Sequence, residues 1–326
     1  MSTAIRMHRT GGPEVLSTEE TAVGEPGPTE VRVRQRAVGV NFIDTYHRTG
    51  LYPLELPSGI GVEAAGVVVA AGREVTDLTI GSRVAYAGGS PGAYADERVV
   101  AADRVVPLPD DIDLETAAAV LLKGMTVEVL IRRVYAVKPG DDVLFHAAAG
   151  GVGLLACQWL RALGARVLAC VGSDEKAALA REHGAQETIV TTREDFVERV
   201  RSLTDGRGVR VVYDSVGKAT LARSLDCLSP RGMLVSFGNA SGKPDAVDPL
   251  ALGKASLFLT RPALFHYTHG RDELLESANA VFDMVRRGSV RVRIGQRFEL
   301  TEARQAHEAL EARRTTGSTL LIPSGS

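Results

Sequence analysis

A chain of 326 residues is too long for one ordinary domain of roughly 100–200 residues and points to two. With 44% hydrophobic and 24% charged residues it is not a mainly disordered chain, and 40 acidic against 38 basic residues argue against a dedicated nucleic-acid binder. No window approaches the roughly 18 apolar residues of a membrane span, and MSTAIRMHRTGGPEV lacks the apolar stretch of a signal peptide, so a cytoplasmic location is expected.

Residues 1 to about 122 read as β-rich. EVRVRQRAVGV (30–40) alternates polar and apolar, as a half-buried strand does. EAAGVVVAAG (63–72) and SRVAYAG (82–88) are short apolar runs closed by glycine, and RVVPLPDDI (104–112) stops at prolines. Short strands with Gly/Pro turns predict a closed or strongly coiled sheet.

From about 123 to 262 strands alternate with helices. Strands are expected at 142–149, 166–173, 188–190, 209–217, 232–238 and 256–260, with helices at 151–165, 174–185, 194–204 and 219–228. That order predicts an α/β fold with a parallel, doubly wound sheet. The tail, 263–326, holds a long helix (271–288), a strand (RVRIGQRFEL) and a short helix (EARQAHEALEARR). Because the six-strand unit before it is already complete, the tail is expected to return to the first domain. The division is therefore 1–122 plus 263–326 against 123–262. Cys157, Cys170 and Cys227 have no CxxC spacing and read as small buried hydrophobes.

Gly151-Val152-Gly153-Leu154-Leu155-Ala156 fits G-x-G-x-x-G/A between a predicted strand and a predicted helix. There the first glycine is expected to make the tight turn, the second to admit a pyrophosphate, and the third residue to let helix and sheet pack closely. The helix N-terminus offers unpaired N–H groups to phosphates. The next strand ends Ala169-Cys170-Val171-Gly172-Ser173, with no acid to accept from a ribose 2′-OH, and Lys176 follows. That set favours NADPH over NADH. Asp174 and Glu175 are read as the acidic first turn of a helix.

The order of a β-rich domain, a late nucleotide fold and a returning tail resembles the medium-chain dehydrogenase/reductase superfamily. Its zinc members carry a G-H-E motif and a catalytic cysteine. Here the motif reads Gly61-Val62-Glu63, the segment AVGVNFIDTYHRTG has no cysteine, and no four-cysteine lobe is present, so no zinc site is expected. The strings GGPEVL, VGVNFIDTYHRTGLYP, LPSGIGVEAAG, LLKGMTV, FHAAAGGVG, VVYDSVG, LVSFGNASG and TRPAL resemble the zinc-independent quinone oxidoreductase (zeta-crystallin-like) family of that superfamily. The resemblance implies a GroES-like catalytic domain with a Rossmann domain, and reduction of a quinone by NADPH.

Position by position, the resemblance implies that Asn41, Tyr46 and Thr126 line the nicotinamide and quinone cleft, with Tyr52 near its mouth. It implies a pyrophosphate loop at Gly150, Gly151 and Val152. Gly172, Ser173 and Lys176 form the 2′-phosphate pocket, and Phe237, Gly238 and Asn239 the loop beside the nicotinamide. Arg313 reaches toward the cofactor's phosphate end. Thr191 stands where the family often has a tyrosine beside the 2′-phosphate, which would weaken selectivity for NADPH. Read alone, Tyr46 and Tyr52 are packing residues, Asn41 a turn residue, and His146 a strand residue rather than a base. Lys123 is either a cofactor contact or a solvated residue at a helix start. Arg132-Arg133, Arg286-Arg287 and Arg313-Arg314 read as solvated helix faces.

The leading alternative is an NADPH-dependent reductase of enones or 2-alkenals. Another is a cofactor-binding protein without catalysis, crystallin-like or RNA-binding. The family also implies a homodimer joined through the nucleotide domain, with SLFLT (256–260) as the exposed edge.

Overall fold

The computed structural model describes residues 2–324. The chain forms two units. One runs to Lys123 and takes in Thr268–Arg286 and the chain from Val292; the other holds Gly124–Tyr267 and Arg287–Arg291.

The first stretch holds β1 (Ser2–Met7), β2 (Ser17–Thr21), β3 (Glu30–Val40), α1 (Phe42–Thr49) and β4 (Ser58–Gly59). β5 (Glu63–Ala71), β6 (Arg83–Ala87), β7 (Glu97–Ala101) and β8 (Val105–Pro107) follow, then α2 (Leu114–Glu128). The second unit contains β9 (Asp142–Phe145), α3 (Gly151–Ala162), β10 (Arg166–Val171), α4 (Asp174–Glu182) and β11 (Glu187–Val190). It continues with α5 (Phe196–Leu203), β12 (Val209–Asp214), α6 (Leu221–Leu225), β13 (Leu228–Ser236), α7 (Pro249–Gly253), β14 (Phe258–Thr260) and α8 (Leu264–Tyr267). The tail adds α9 (Arg271–Arg286), β15 (Ile294–Glu299), α10 (Ala303–Glu311) and β16 (Ser318–Ile322).

In the first unit the main sheet runs β15-β16-β3-β5-β6-β8, with β7 also paired to β3. β3 alternates as its sequence predicts: Val31 and Val33 are buried, and Arg32 and Arg34 face away from that core. The tail returns as β16, which lies antiparallel on β3 with Leu320 opposite Gly39. The core gathers Val33, Val38, Ile60, Val68, Tyr86, Tyr94, Leu300 and Leu321.

In the second unit six strands run parallel in the order β11-β10-β9-β12-β13-β14. Val143, Leu144, Val167, Leu168, Val211 and Val212 are wholly buried. Such continuous apolar runs are what a sheet covered on both faces requires. β14 closes one edge, and Phe258 on it is 56% exposed.

A polar chain crosses the core of the first unit. Tyr94 OH donates to Asp44 Oδ2 at 2.9 Å and lies 3.1 Å from His307 Nε2. His307 Nδ1 is 3.1 Å from Arg48 Nη1, and Arg48 Nη2 donates to Glu311 Oε1 at 2.6 Å. Burial raises the Asp44 carboxyl to about 7, and burial with the Arg48 charge lowers His307 to about 3. The two groups act oppositely on stability. The raised Asp44 favours the fold below pH 3.8 and loses that effect as pH climbs through about 7. The lowered His307 opposes the fold at acid pH and releases it as pH climbs from about 3 to 6.5. Urea unfolding of Asp44→Asn should therefore give a stability that rises with pH more steeply than wild type below pH 6.5. His307→Gln should give one that falls toward pH 7. Equal pH slopes in all three proteins would refute the assignment.

Candidate functional site

Unit one carries its candidate residues where β3 turns into α1. Asn41 is the N-cap of α1, its N–H held by Asp44 Oδ2 at 2.8 Å, and Gly50 ends the helix at φ +79°. Its side-chain Nδ2 donates to Glu63 Oε2 at 2.8 Å and to Gly39 O at 3.2 Å. Asn41 is thus a cap, as its turn chemistry suggests, but also a buried member of a charged cluster.

Glu63 is the centre of that cluster. It is wholly buried on β5 and accepts from Leu122 N–H at 2.6 Å and Lys123 Nζ at 3.1 Å. Lys123 is 5% exposed and lies well inside α2, so it is neither solvated nor at a helix start. Glycine at 39 is required for this approach: a Cβ there would stand 2.2 Å from Glu63 Oε2 and 2.5 Å from Ala118 O. In the sequence Glu63 stands out only as the acid of the altered G-H-E motif, not as a buried partner of Lys123. The signal was present as a single acid at the head of an otherwise apolar strand, EAAGVVVAAG.

Tyr46 is buried on α1 and meets the half-buried Tyr52 edge-on, with centroids 5.2 Å apart and planes at 66°. Tyr52 N–H donates to Tyr46 O at 3.0 Å, which fixes the pair. Thr126 is half-buried in the part of α2 that belongs to the second unit. Arg313 is exposed just past α10, at φ +57°.

In unit two the loop 146–150 joins β9 to α3. The roles expected of its glycines need correction. No glycine from 150 to 153 is left-handed; the tight turn is made by Ala147, at φ +53°. Gly150 is an extended N-cap without a side chain to satisfy the first amides of α3. Gly153 serves helix–loop contact: a Cβ there would lie 2.5 Å from both Ala147 O and Ala148 Cα. Ala156 is wholly buried. The first turn, Gly151 and Val152 included, therefore points its N–H groups out of a helix of 12 residues seated tightly on the loop.

At the end of β10, a Cβ on Gly172 would meet nothing within 4 Å, so space opens there. Ser173 caps α4, its Oγ accepting from Lys176 N–H at 3.3 Å. Lys176 is half-buried on the first turn. Asp174 does open a helix, as expected, and also accepts from Nη1 and Nη2 of Arg193 at 2.6 and 2.7 Å. Thr191 Oγ1 donates to Val171 O at 3.1 Å.

Phe237, Gly238 and Asn239 follow β13. Phe237 N–H donates to Asp214 O at 2.8 Å, and a Cβ on Gly238 would lie 2.5 Å from Ser215 O, so the loop is pressed on the end of β12. Arg261 braces it, donating to Ser236 Oγ at 2.9 Å and Gly238 O at 3.0 Å. With its amide oxygen toward Arg261, Asn239 accepts from Nη2 at 3.0 Å and donates to Gly238 O at 2.9 Å. Arg261 was seen in the sequence only as part of TRPAL. His146 Nε2 lies 3.0 Å from Ser224 Oγ, which donates to Asp214 Oδ2 at 3.0 Å. All three are buried. Burial lowers the His146 pKa, and the serine sits between acid and histidine. Both features belong to a structural network rather than a base–nucleophile pair.

Burial pushes the Cys157 and Cys227 thiols up to about 12 and Cys170 well above its ordinary value, opposing the thiolate a metal needs. Glu63 is committed to three donors. Among the described residues no group of three or more His, Cys, Asp or Glu is placed to hold a metal ion, and no helix is long and apolar enough to cross a membrane.

Residues 27–110 match the alcohol dehydrogenase GroES-like domain, and residues 151–285 match the zinc-binding dehydrogenase domain. The chain is 54% identical to the quinone oxidoreductase of Pseudomonas aeruginosa over 325 residues, covering 99% of this chain and 100% of that one. It is 46% identical to the 2-haloacrylate reductase of a Burkholderia species, covering 99% of each. The structure of Escherichia coli quinone oxidoreductase complexed with NADPH superposes at a TM-score of 0.97 with 48% identity, covering 98% of this chain and 100% of that one. The chain belongs to the quinone oxidoreductase family of the medium-chain dehydrogenase/reductase superfamily.

Proposed function

We propose that this protein is an NADPH-dependent quinone reductase that works without a metal. The observation that carries the cofactor reading is the end of β10, open at Gly172, flanked by Lys176, with Asp174 already bound by Arg193. An acid so engaged is poorly available to a ribose 2′-OH, whereas a 2′-phosphate meets cationic surroundings. When bound, NADPH supplies the hydride from C4 of its nicotinamide, which with one proton from water converts a quinone to a hydroquinone.

The protein's own residues bind and orient. The first unit serves as the catalytic domain and the second as the nucleotide domain, where the sequence suggested 1–122 with 263–326 against 123–262. The amides of Gly150, Gly151 and Val152 take the pyrophosphate, and Gly172, Ser173 and Lys176 the 2′-phosphate. The loop of Phe237, Gly238 and Asn239, stiffened by Arg261, serves the nicotinamide. Asn41 and Thr126 fix its amide, Asn41 itself being oriented by Glu63. Tyr46 and Tyr52 stack on the quinone or donate to its oxygens, and Arg313 reaches toward the phosphate end.

Because a quinone is already strongly electrophilic, no shifted acid is required. Tyr46→Phe should lower quinone turnover by less than about 10²-fold, the foot of the range for general acid catalysis. A loss above about 10⁴-fold with intact NADPH affinity would contradict that role.

A second reading, reduction of an activated C=C bond, is favoured by the similarity to a 2-haloacrylate reductase. The kcat/KM ratio for quinones against 2-alkenals and 2-haloacrylates separates the two. We place the enzyme in the cytoplasm, where buried, unpaired cysteines stay reduced. We further assign it a homodimer through the edge of β14. The support is the outer position of that strand and the exposed Phe258 on it. A particle of monomer mass by light scattering would reject the dimer.

A further inference from the structure

The segment after β11 is tied to the end of β10 by several contacts. Thr191 donates to Val171 O through its N–H at 2.9 Å and its Oγ1 at 3.1 Å. Thr192 Oγ1 donates to Gly172 O at 3.4 Å. The next residue, Arg193, turns back through its N–H to Val190 O at 3.1 Å. Its guanidinium then grips Asp174 with a nitrogen on each carboxylate oxygen. Gly172, Ser173 and Asp174 are consecutive, so this ion pair lies at the same end of β10 as the open Gly172.

We infer that Arg193 is a specificity-determining residue that takes the 2′-phosphate of NADPH on its guanidinium, exchanging Asp174 for the phosphate. The inference rests on the reading of this strand end as the 2′-phosphate pocket. Three physical facts carry it. Both partners are half or more exposed, at 56% for Arg193 and 70% for Asp174, and solvent screening leaves exposed pairs of this kind easily exchanged. A guanidinium binds the oxygens of a phosphate dianion bidentately, as it binds a carboxylate, and with more charge on the partner. Thr191 donates its hydroxyl inward to Val171 O, so the rim has a place for another donor. In the absence of cofactor the same pair withholds Asp174 from the 2′-OH of NADH. One residue would thus favour NADPH and disfavour NADH.

The test is fluorescence titration of NADPH and of NADH against the full-length wild type, Arg193→Ala and Asp174→Asn. Arg193→Ala is expected to weaken NADPH at least about fivefold, consistent with loss of a charge-assisted contact at a solvated site, and to hold or improve NADH, whose 2′-OH can then reach the released Asp174. Asp174→Asn breaks the same ion pair but frees the guanidinium, so NADPH affinity is expected to hold or improve. The inference is overturned if Arg193→Ala costs NADPH less than about fivefold, if it weakens both cofactors equally, or if Asp174→Asn weakens NADPH. A wild type that binds neither cofactor, or binds NADH as well as NADPH, overturns the pocket reading itself. That result is visible before any variant is measured.

Discussion

Gly153→Ala is expected to weaken NADPH binding by about 100-fold or more while leaving the first unit folded. The added Cβ would lie 2.5 Å from Ala147 O, 2.5 Å from Ala148 Cα and 2.6 Å from Ala148 C. All three are backbone atoms, so no side chain can swing aside. The start of α3 must retreat from the loop, and with it the N–H groups of the first turn. Anion binding at a helix end depends on those groups converging on one point, so a shift of a fraction of an ångström disperses them. The fold should lose about 1–3 kcal/mol, the usual cost of overpacking. Gly172→Ala is the contrast, because nothing lies within 4 Å of the new methyl and stability should hold. Thermal melts and NADPH fluorescence titration of both variants provide the check. Tight NADPH binding by Gly153→Ala would refute the seating of α3.

Lys123→Met should destabilise the first unit by about 3–5 kcal/mol, the cost of leaving a buried charge without its partner. Glu63 is fully buried, and without the ammonium its carboxylate keeps only the neutral donors Leu122 N–H and Asn41 Nδ2. The double variant Glu63→Gln with Lys123→Met should recover part of the loss: it removes the buried charge, but its single amide oxygen can accept from only one of the two donors that the separate carboxylate oxygens hold. Urea midpoints of wild type, single and double variants test this. A single variant within about 1 kcal/mol of wild type would mean that the pair carries no buried charge energy.

The fold was legible where period and burial agreed. β3 alternates because one face meets the core, and the strands of the second unit read as apolar runs because helices cover both faces. α1 was missed because Phe42, Ile43, Thr45 and Tyr46 are poor helix formers and its stability comes from the Asn41–Asp44 cap and the Gly50 stop. α2 was missed for a different reason. From Ala117 to Leu121 every residue is buried, so its faces carry no contrast and no period of 3.6 appears. β16 is too short to stand out and is defined by pairing with β3, a partner about 280 residues away. In the site, the glycine-rich loop was visible as a pattern, but the division of labour within it was not. Which residue turns, which packs and which leaves amides open depends on φ and on neighbours a few ångströms away. The contacts of Glu63, Lys123, Arg193 and Arg261 were hidden because each acts on a residue distant in sequence or across a turn.

The most direct test of the account is cofactor oxidation at 340 nm by the full-length protein, with 1,4-benzoquinone, 9,10-phenanthrenequinone and crotonaldehyde in parallel. The account predicts turnover that is faster with NADPH than with NADH and faster with either quinone than with the alkenal. Fast alkenal reduction with slow quinone reduction, or no turnover despite tight NADPH binding, would contradict it.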